Sequence, residues 1–441
     1  MPASHRPPVY APLSAPSQAL LLRIFPRSAP PAWWLGAAAL LCLGAGPSRA
    51  QVLESLPPPI PLSQAEDRPP TLEFRVGQRI EHDSNIYRLS DSADATPLTG
   101  SSKRADTYGV TTLGVKLDQS YSLQRLELDI NAQAYRYQNF SALDFTALNY
   151  AAAWRWSLTP RFHGSLSADQ REFVDNTIDV QSSSEVNRRT ERRALFEAEY
   201  EIGAAWRALA GVFERRLKNS LPQTYEADAT ATGGELGARY VWPSGNSAAY
   251  RYKAASGDYS GRLPTLLAPN EFSDREHELS FEMLPVAGSS VRGRLAHLDR
   301  RHDGFEARDF SGLVGEVSGR WALTGKTRIE AGVLRELGSY QTSTASYYEG
   351  ERLYVSPVWK PTEKTAVRLR LDQSERRYKG GIAPLPVGRR DTTTLTAVSV
   401  EWEPLRLLRL VASFQQDKRE SNTAGYDYLA KVASVSALLS F

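Results

Sequence analysis

The sequence is poor in the residues that disulfide-stabilised domains and thiol enzymes use. Its 441 residues include one cysteine, Cys42, two methionines and six histidines. A single cysteine excludes an internal disulfide framework and a metal site built on several cysteines. After residue 50 no apolar run approaches the ~20 residues that a membrane-spanning helix needs. Transmembrane helices are therefore excluded from that part of the chain.

The first fifty residues predict a secretory signal peptide. They hold four arginines and no acidic residue, and an apolar stretch runs from Trp33 to Gly46. Small residues at Ser48 and Ala50 predict cleavage before Gln51. The alternative is an N-terminal anchor helix, but the stretch is shorter than the ~20 residues that cross a bilayer.

Cleavage would remove Cys42 together with all four of these arginines. The 53 basic residues then fall to 49 against 50 acidic residues, which is a net charge of −1. The basic isoelectric point therefore belongs to the leader, and it gives no reason to expect a nucleic-acid partner. Residues 51–70 are proline-rich and predict an extended periplasmic tail.

From Leu72 onward apolar and polar residues alternate. Between residues 125 and 134, for example, Leu126, Leu128 and Ile130 alternate with Glu127 and Asp129. A period of two with one charged face indicates strands that meet an apolar medium on one side and water on the other.

The spacing of the turns predicts a transmembrane barrel. Short turns recur roughly every forty residues, and longer polar segments lie between them. This alternation is typical of periplasmic turns and extracellular loops. We therefore expect an all-β, antiparallel barrel of about eighteen strands over residues 71–441, in the outer membrane of a Gram-negative bacterium. A soluble β-propeller also repeats near forty residues, but each blade needs four short strands, whereas two long ones are present.

Aromatic residues predict the two interfaces of the membrane. Tryptophans cluster beside the short turns, where they predict a periplasmic girdle: Trp154, Trp156, Trp206, Trp242, Trp321, Trp359 and Trp402. Tyrosines cluster towards the long loops, where we expect an outer belt: Tyr87, Tyr108, Tyr137, Tyr225, Tyr259, Tyr340, Tyr378 and Tyr426.

Motifs for catalysis or cofactor binding are not found. The histidines after residue 50 lack metal-ligand spacing, and neither a nucleophile elbow nor a phosphate-binding loop occurs. Glu197 and Glu199 are a conceivable acid pair, but charged residues are the normal lining of a water-filled barrel. Asp83 and Asn85 suit either a cation or a turn. The sequence predicts no catalytic residue, no metal site and no cofactor.

Ten charged residues are predicted to line the lumen, because they alternate with apolar residues: Arg125, Glu127, Asp129, Glu197, Glu199, Arg292, Arg294, Arg328, Arg368 and Arg370. The acids lie on earlier strands and most of the arginines on later ones, so an acid-rich wall would face an arginine-rich wall. Such an arrangement orients charged solutes in a transverse field. Mutual neutralisation of the charges is the equally weighted alternative.

Several short motifs resemble one family of barrels. These are His82–Arg88, Arg308–Gly312 before Trp321, and Ser356–Lys364, together with the alternating final strand that ends at Phe441. They are similar to motifs of the EpsL-like outer-membrane barrels that are associated with exopolysaccharide biosynthesis and exosortase gene clusters. The resemblance spans about Leu72 to Phe441 and supplies no catalytic residues.

The resemblance implies a non-enzymatic pore or accessory protein for export or assembly of a secreted exopolysaccharide. Its expected partners are outer-membrane lipids, the polysaccharide chain and periplasmic export components, and the oligomeric state stays open. One alternative is a general diffusion porin for small solutes. A second is a barrel enzyme that modifies polysaccharide or lipid.

Overall fold

Eighteen antiparallel β-strands dominate the computed structural model of the protein, and the prediction of about eighteen strands is confirmed. The structure describes residues 71–100, 102–175, 187–221, 228–260, 270–286, 288–340, 344–381 and 388–441. The predicted signal peptide and proline-rich tail, residues 1–70, lie outside the described residues. Within those residues, no helix has the length and apolar character to cross a membrane.

The strands run in chain order over Thr71–Asp83 (β1), Asp106–Tyr121 (β2), Gln124–Tyr137 (β3), Phe145–Thr159 (β4), Phe162–Asp175 (β5), Asn187–Ile202 (β6), Trp206–Asn219 (β7), Ala229–Val241 (β8), Ser247–Tyr259 (β9), Glu271–Met283 (β10), Ser290–Arg301 (β11), Phe310–Ala322 (β12), Thr327–Ser339 (β13), Tyr347–Thr362 (β14), Thr365–Lys379 (β15), Arg390–Leu405 (β16), Leu408–Ser421 (β17) and Tyr428–Ser440 (β18). A four-residue helix, α1, covers Thr96–Thr99, and 3₁₀ turns cover Ser141–Leu143 and Glu306–Arg308.

Each strand pairs with its neighbours in the chain, and the sheet closes on itself. β1 pairs with β2 along one edge and with β18 along the other. The connections alternate between short turns, such as 122–123 and 406–407, and longer loops, such as 84–105. Closure leaves no strand edge unpaired, which is the condition for β-structure to span the hydrocarbon of a bilayer.

The outer surface of the barrel is apolar. Leu113, Leu126, Leu236, Leu313 and Val435 are all exposed on it and belong to five different strands. Residues directly opposite in an antiparallel pair share a face, so the pairing Leu126↔Trp154 also places that tryptophan outside. A closed barrel with exposed leucine and valine across its surface is an outer-membrane protein.

All seven tryptophans of the predicted girdle lie on this outer face, near the short turns. Six are at least partly exposed, while Trp156 is buried because its ring packs on Phe162 and Phe196. A tryptophan at this depth places its ring at the level of the lipid headgroups.

The apolar clusters of the described residues lie inside the barrel, at the end with the long loops. Ile86, Phe140 and Leu143 from two loops pack on the inward side chains of Tyr108 and Val110. Two similar clusters form around two other pairs of residues: Tyr259 with Phe272, and Tyr340 with Tyr378. Loop residues therefore fold inward and narrow the mouth.

These clusters correct one expectation from the sequence. The predicted outer tyrosine belt is wrong for Tyr108, Tyr259, Tyr340 and Tyr378, which are buried in the clusters inside the barrel. Tyr108, for example, donates a hydrogen bond to the inward carboxylate of Glu81. The tyrosines are at the predicted end of the barrel, but inward loop folding gives them partners there. Tyr225 lies outside the described residues.

Candidate functional site

The inner wall of the barrel is the candidate site, because ionised side chains cover it. All ten charged residues predicted to line the lumen alternate with outward-facing residues in their strands, and the pairing places them on the inner face. For instance, Glu127 lies between the exposed Leu126 and outward Leu128, and Arg368 lies between Val367 and the exposed Leu369.

The predicted acids each contact a basic side chain. Glu127 bridges two arginines, with 3.0 Å from its Oε1 to Arg125 Nε and 2.9 Å from its Oε2 to Arg155 Nη2. Asp129 pairs with Arg75 of β1. Further along the wall, Glu197 pairs with Arg251 at 2.9 Å, and Glu199 pairs with Arg239 at 2.6 Å.

The predicted arginines of the later strands each pair with a carboxylate. Arg292 pairs with Glu282 at 2.8 Å, and Arg294 pairs with Glu276 and Glu278. Glu330 forms ion pairs with both Arg328, at 3.0 Å, and Arg368, at 2.7 Å. Arg370 pairs with Asp372 at 2.7 Å.

The charges therefore do not form an acidic wall opposite a basic wall. Arginines stand beside the acids of the early strands, and carboxylates stand beside the arginines of the later strands. At separations below 4 Å, local attraction outweighs any field across the lumen. Of the two interpretations, the structure favours mutual neutralisation.

Water reaches these inward side chains. The side chains of Arg292 and Arg294 are 49% and 41% exposed, although both point into the barrel. Glu316, on the inner face of β12, is also exposed. Exposed charges on an inward face indicate an aqueous space, since charged groups in a packed core are buried and paired.

Arg251 links three carboxylates that the sequence does not bring together. It lies 2.9 Å from Glu197, 3.5 Å from Glu235 and 3.6 Å from Glu278. Its partners come from β6, β8 and β10, up to three strands away. Alternation of inward and outward residues along β9 predicts that Arg251 faces inward. No local sequence pattern identifies the carboxylates with which it pairs.

The first long loop is anchored to the mouth by a buried ion pair. Asp83 accepts a hydrogen bond from the backbone N–H of Asn85 at 2.9 Å, and it pairs with Arg88 at 3.0 Å. The side-chain amide of Asn85 donates to the carbonyl oxygens of Leu89 and Leu429. Asp83 and Asn85 thus shape a turn that ties the loop to β18. Among the described residues no cluster of three or more potential metal ligands is found.

A second anchor at the mouth is His302, which follows β11 and is 3% exposed. Its ring stacks on Tyr259, whose hydroxyl lies 3.0 Å from His302 Nε2. Burial lowers the pKa of His302 to about 4, and the nearby Arg300 acts in the same direction. The imidazole is therefore neutral at physiological pH.

No family model matches the chain, and no curated protein is similar to it. Solved structures are similar in fold. The BenF-like porin of Pseudomonas fluorescens Pf-5 is 12% identical with a TM-score of 0.48, covering 85% of this chain and 99% of that one. Pseudomonas aeruginosa OccK2 (OpdF) in complex with glucuronate is 12% identical with a TM-score of 0.48, covering 85% and 98%. P. aeruginosa OpdK with vanillate is 12% identical with a TM-score of 0.47, covering 84% and 99%.

These comparisons contradict the prediction of exopolysaccharide export, because the similar structures named here are porins. Glucuronate and vanillate are small molecules, and they are ligands of those proteins. The resemblance to EpsL-like barrels is a separate matter, which no comparison tests, and it stays a prediction.

Proposed function

We propose that the protein is a diffusion porin, a non-catalytic pore through which small hydrophilic solutes cross the outer membrane. The observation that carries this proposal is the exposure of inward charges such as Arg292, Arg294 and Glu316. Barrels of 16–18 strands are wide enough to leave an aqueous channel. Inward-folded loops at one mouth would set the size limit, as an ordered constriction does in a pore.

Charge pairing along the wall suits a pore of this kind. Carboxylates and guanidinium groups that neutralise one another keep the wall hydrated without holding a solute tightly. Conduction requires this balance, since a solute must enter easily and also leave. We expect weak ion selectivity and ohmic single-channel currents in planar bilayers.

The test uses a thiol introduced on either face of one strand. The chain after residue 50 has no cysteine, so each new thiol is unique once the leader is removed. Glu316→Cys places the thiol inside the barrel, and Leu313→Cys, on the same strand, places it in the lipid. A bulky water-soluble thiol reagent should reduce the conductance of the first variant and leave the second unchanged.

Two results would overturn the proposal. One is wild-type protein that inserts into bilayers and carries no current. The other is equal reduction of current in both cysteine variants, which would mean that conduction does not follow the barrel interior.

A further inference from the structure

Four basic side chains gather on the outer surface of the barrel, at the end of β6 and β7 that lies towards the long loops. We call them the β6–β7 patch, and all of them are exposed: Arg188, Arg192, Arg216 and Lys218. By alternation along each strand they share the outer face with the exposed residues Phe196 on β6 and Val212 on β7.

Two arginines of the patch stand directly opposite one another. Arg192 pairs with Arg216 in the antiparallel register, and Thr190 pairs with Lys218 one step closer to the loops. Opposite residues in such a ladder have Cβ atoms roughly 5 Å apart, and like charges at these positions destabilise the pair. An anion bound between these groups would remove that repulsion.

The carboxylates nearest the patch reach only one of its cations. Glu214 pairs with Arg216 at 2.8 Å. Oε2 of Glu172 lies 3.4 Å from a backbone nitrogen of β4, on the side away from β6. Asp228, which precedes β8, accepts hydrogen bonds from the backbone and side chain of Asn219 at 2.7 and 3.0 Å. Its carboxylate is therefore directed towards an inward residue.

Three of the four cations have no counter-ion in the part of the chain that the structure describes. No described carboxylate oxygen lies within 4 Å of Arg188, Arg192 or Lys218. Arg192 donates a hydrogen bond to the neutral side chain of Gln170 at 2.7 Å instead. Even with the two glutamates counted, the outer face here keeps an excess of two positive charges.

A second group of outward cations, on β15, shows the contrast. Arg377 pairs with Glu375 at 2.6 Å, and Lys379 pairs with Glu349 at 2.7 Å. Those charges neutralise one another and need no external anion. The β6–β7 patch lacks such compensation.

The outer surface directly below the patch is apolar. Phe196 and Val212 are paired across β6 and β7, and they are 42% and 60% exposed. A ligand that contacts both regions needs an anionic head and hydrocarbon chains. The long loops of an outer-membrane barrel are extracellular, so the cations lie at the headgroup level of the outer leaflet.

We propose that the β6–β7 patch binds the phosphate headgroup of an outer-leaflet glycolipid of the lipid A type, with its acyl chains against Phe196 and Val212. A phosphate monoester carries a charge of about −1.5 to −2, which matches the excess positive charge. The arginine fork donates two parallel N–H groups to phosphate, and lysine adds a point charge. This site lies outside the barrel wall, so it goes beyond the proposed pore function and does not depend on it.

The test measures binding of bisphosphorylated lipid A to the detergent-solubilised protein by native mass spectrometry. Comparison probes are the same lipid without its phosphates, and inorganic phosphate. Lipid A should bind about tenfold more tightly than its dephosphorylated form, the loss expected for one charge-assisted hydrogen bond. Inorganic phosphate should not displace it, because free phosphate makes no contact with the apolar surface below the patch.

The test variant combines Arg192→Gln with Arg216→Gln and should weaken lipid A binding about tenfold or more. Its matched control combines Arg275→Gln with Lys431→Gln. These two residues are also exposed, outward cations without a described carboxylate within 4 Å, but they lie on β10 and β18. The control should bind lipid A as the wild type does. Folding of both variants is checked by circular dichroism and by heat-dependent migration on SDS gels.

Several outcomes would overturn the site. Equal binding of lipid A and its dephosphorylated form would remove the role of the phosphate, and equal losses in the two double variants would remove the role of the patch. Displacement by inorganic phosphate would make the patch a site for soluble anions. Wild-type dimers that persist in lipid A and are lost in the Arg192/Arg216 variant would assign this face to a second copy of the chain. The conductance in KCl is measured separately, so failure of this site leaves the porin proposal intact.

Discussion

Phe74 and Phe441 close the barrel by pairing the start of the first strand with the end of the last. Their backbones exchange two hydrogen bonds, from Phe74 N–H to Phe441 O at 2.7 Å and from Phe441 N–H to Phe74 O at 3.0 Å. Their rings stack on the outer surface with centroids 6.1 Å apart and an angle of 27° between the planes. Main-chain and side-chain contacts therefore coincide at the seam between β1 and β18.

Removal of one ring should weaken this seam. Phe441→Ala should lower barrel stability by about 1 kcal/mol, which is the typical contribution of an aromatic pair. The measurement is the temperature at which the folded band converts to the unfolded band on SDS gels. Val435→Ala is the control, because Val435 is an outward residue of β18, the strand that Phe441 directly follows, and it is 64% exposed. Equal effects of the two substitutions would show that the ring pair adds nothing to closure.

Ion selectivity should respond to the inward arginines of β15. Arg368 pairs with Glu330, and Arg370 pairs with Asp372, all on the inner face. Changing both arginines to glutamate reverses two charges and leaves four carboxylates together, so the reversal potential in a KCl gradient should shift towards cation selectivity.

The control for that experiment is Arg377→Glu, because Arg377 lies on the same strand but faces outward, where it pairs with Glu351 and Glu375. Outward charges are separated from the lumen by the barrel wall and are screened by salt. An unchanged reversal potential in the Arg368/Arg370 double variant would contradict the inward assignment of these side chains.

The two neighbouring girdle tryptophans should contribute unequally to stability. Trp156 is 5% exposed, and its ring lies directly over Gly164, where a Cβ would come within 2.2 Å of it. Trp154 is 45% exposed and donates one hydrogen bond to Gln124. Trp156→Ala should cost about 3 kcal/mol, as for a buried aromatic residue, whereas Trp154→Ala should cost about 1 kcal/mol.

Urea-induced unfolding from lipid vesicles, followed by the fluorescence of the remaining tryptophans, measures both changes. The two variants serve as controls for each other, since each removes one indole from the same strand. Equal losses would mean that the packing of Trp156 on Phe162 and Phe196 adds no stability beyond its position at the interface.

Alternation of apolar and charged residues made the barrel predictable from the sequence. A residue such as Leu126 between Arg125 and Glu127 permits only one orientation of the strand when lipid lies outside and water inside. This alternation can be read within each strand without knowledge of its neighbours. It therefore predicts where the strands lie and which of their residues face lipid or the lumen. It also placed Trp206 and Trp402 outside, beside short turns.

Contacts between distant strands were not predictable in this way. Nothing local indicates that Arg251 meets Glu197 across three strands. Loop residues such as Ile86 and Phe140 have no periodicity, so their inward packing left no signal in the sequence. The misplaced tyrosine belt has a related cause, because the loop residues Ile86, Phe140 and Leu143, which bury Tyr108, left no signal in the sequence.

Acid should loosen the mouth of the barrel at His302. Its pKa is about 4 in the folded loop and 6.5 when free. Between these values the opened loop binds more protons than the closed loop, so closure is unaffected above pH 6.5 and weakens progressively as the pH falls to 4. At 1.36 kcal/mol per pKa unit, the free energy that favours the closed loop falls by about 3 kcal/mol when the pH drops from above 6.5 to below 4. The charged neighbours are Arg300, Asp274 and Asp309, and the ring packs on Tyr259 and Phe310.

An NMR titration of His302 in micelles measures the pKa, and amide signal intensities of residues 302–309 report the loosening. His302→Gln is the control, because glutamine can accept the Tyr259 hydrogen bond but does not titrate over this range. The loop of that variant should keep the same signal intensities from pH 7 to pH 4. A wild-type His302 that titrates near 6.5 would show that its ring is solvated, and that the stacking on Tyr259 does not hold the loop against the barrel wall.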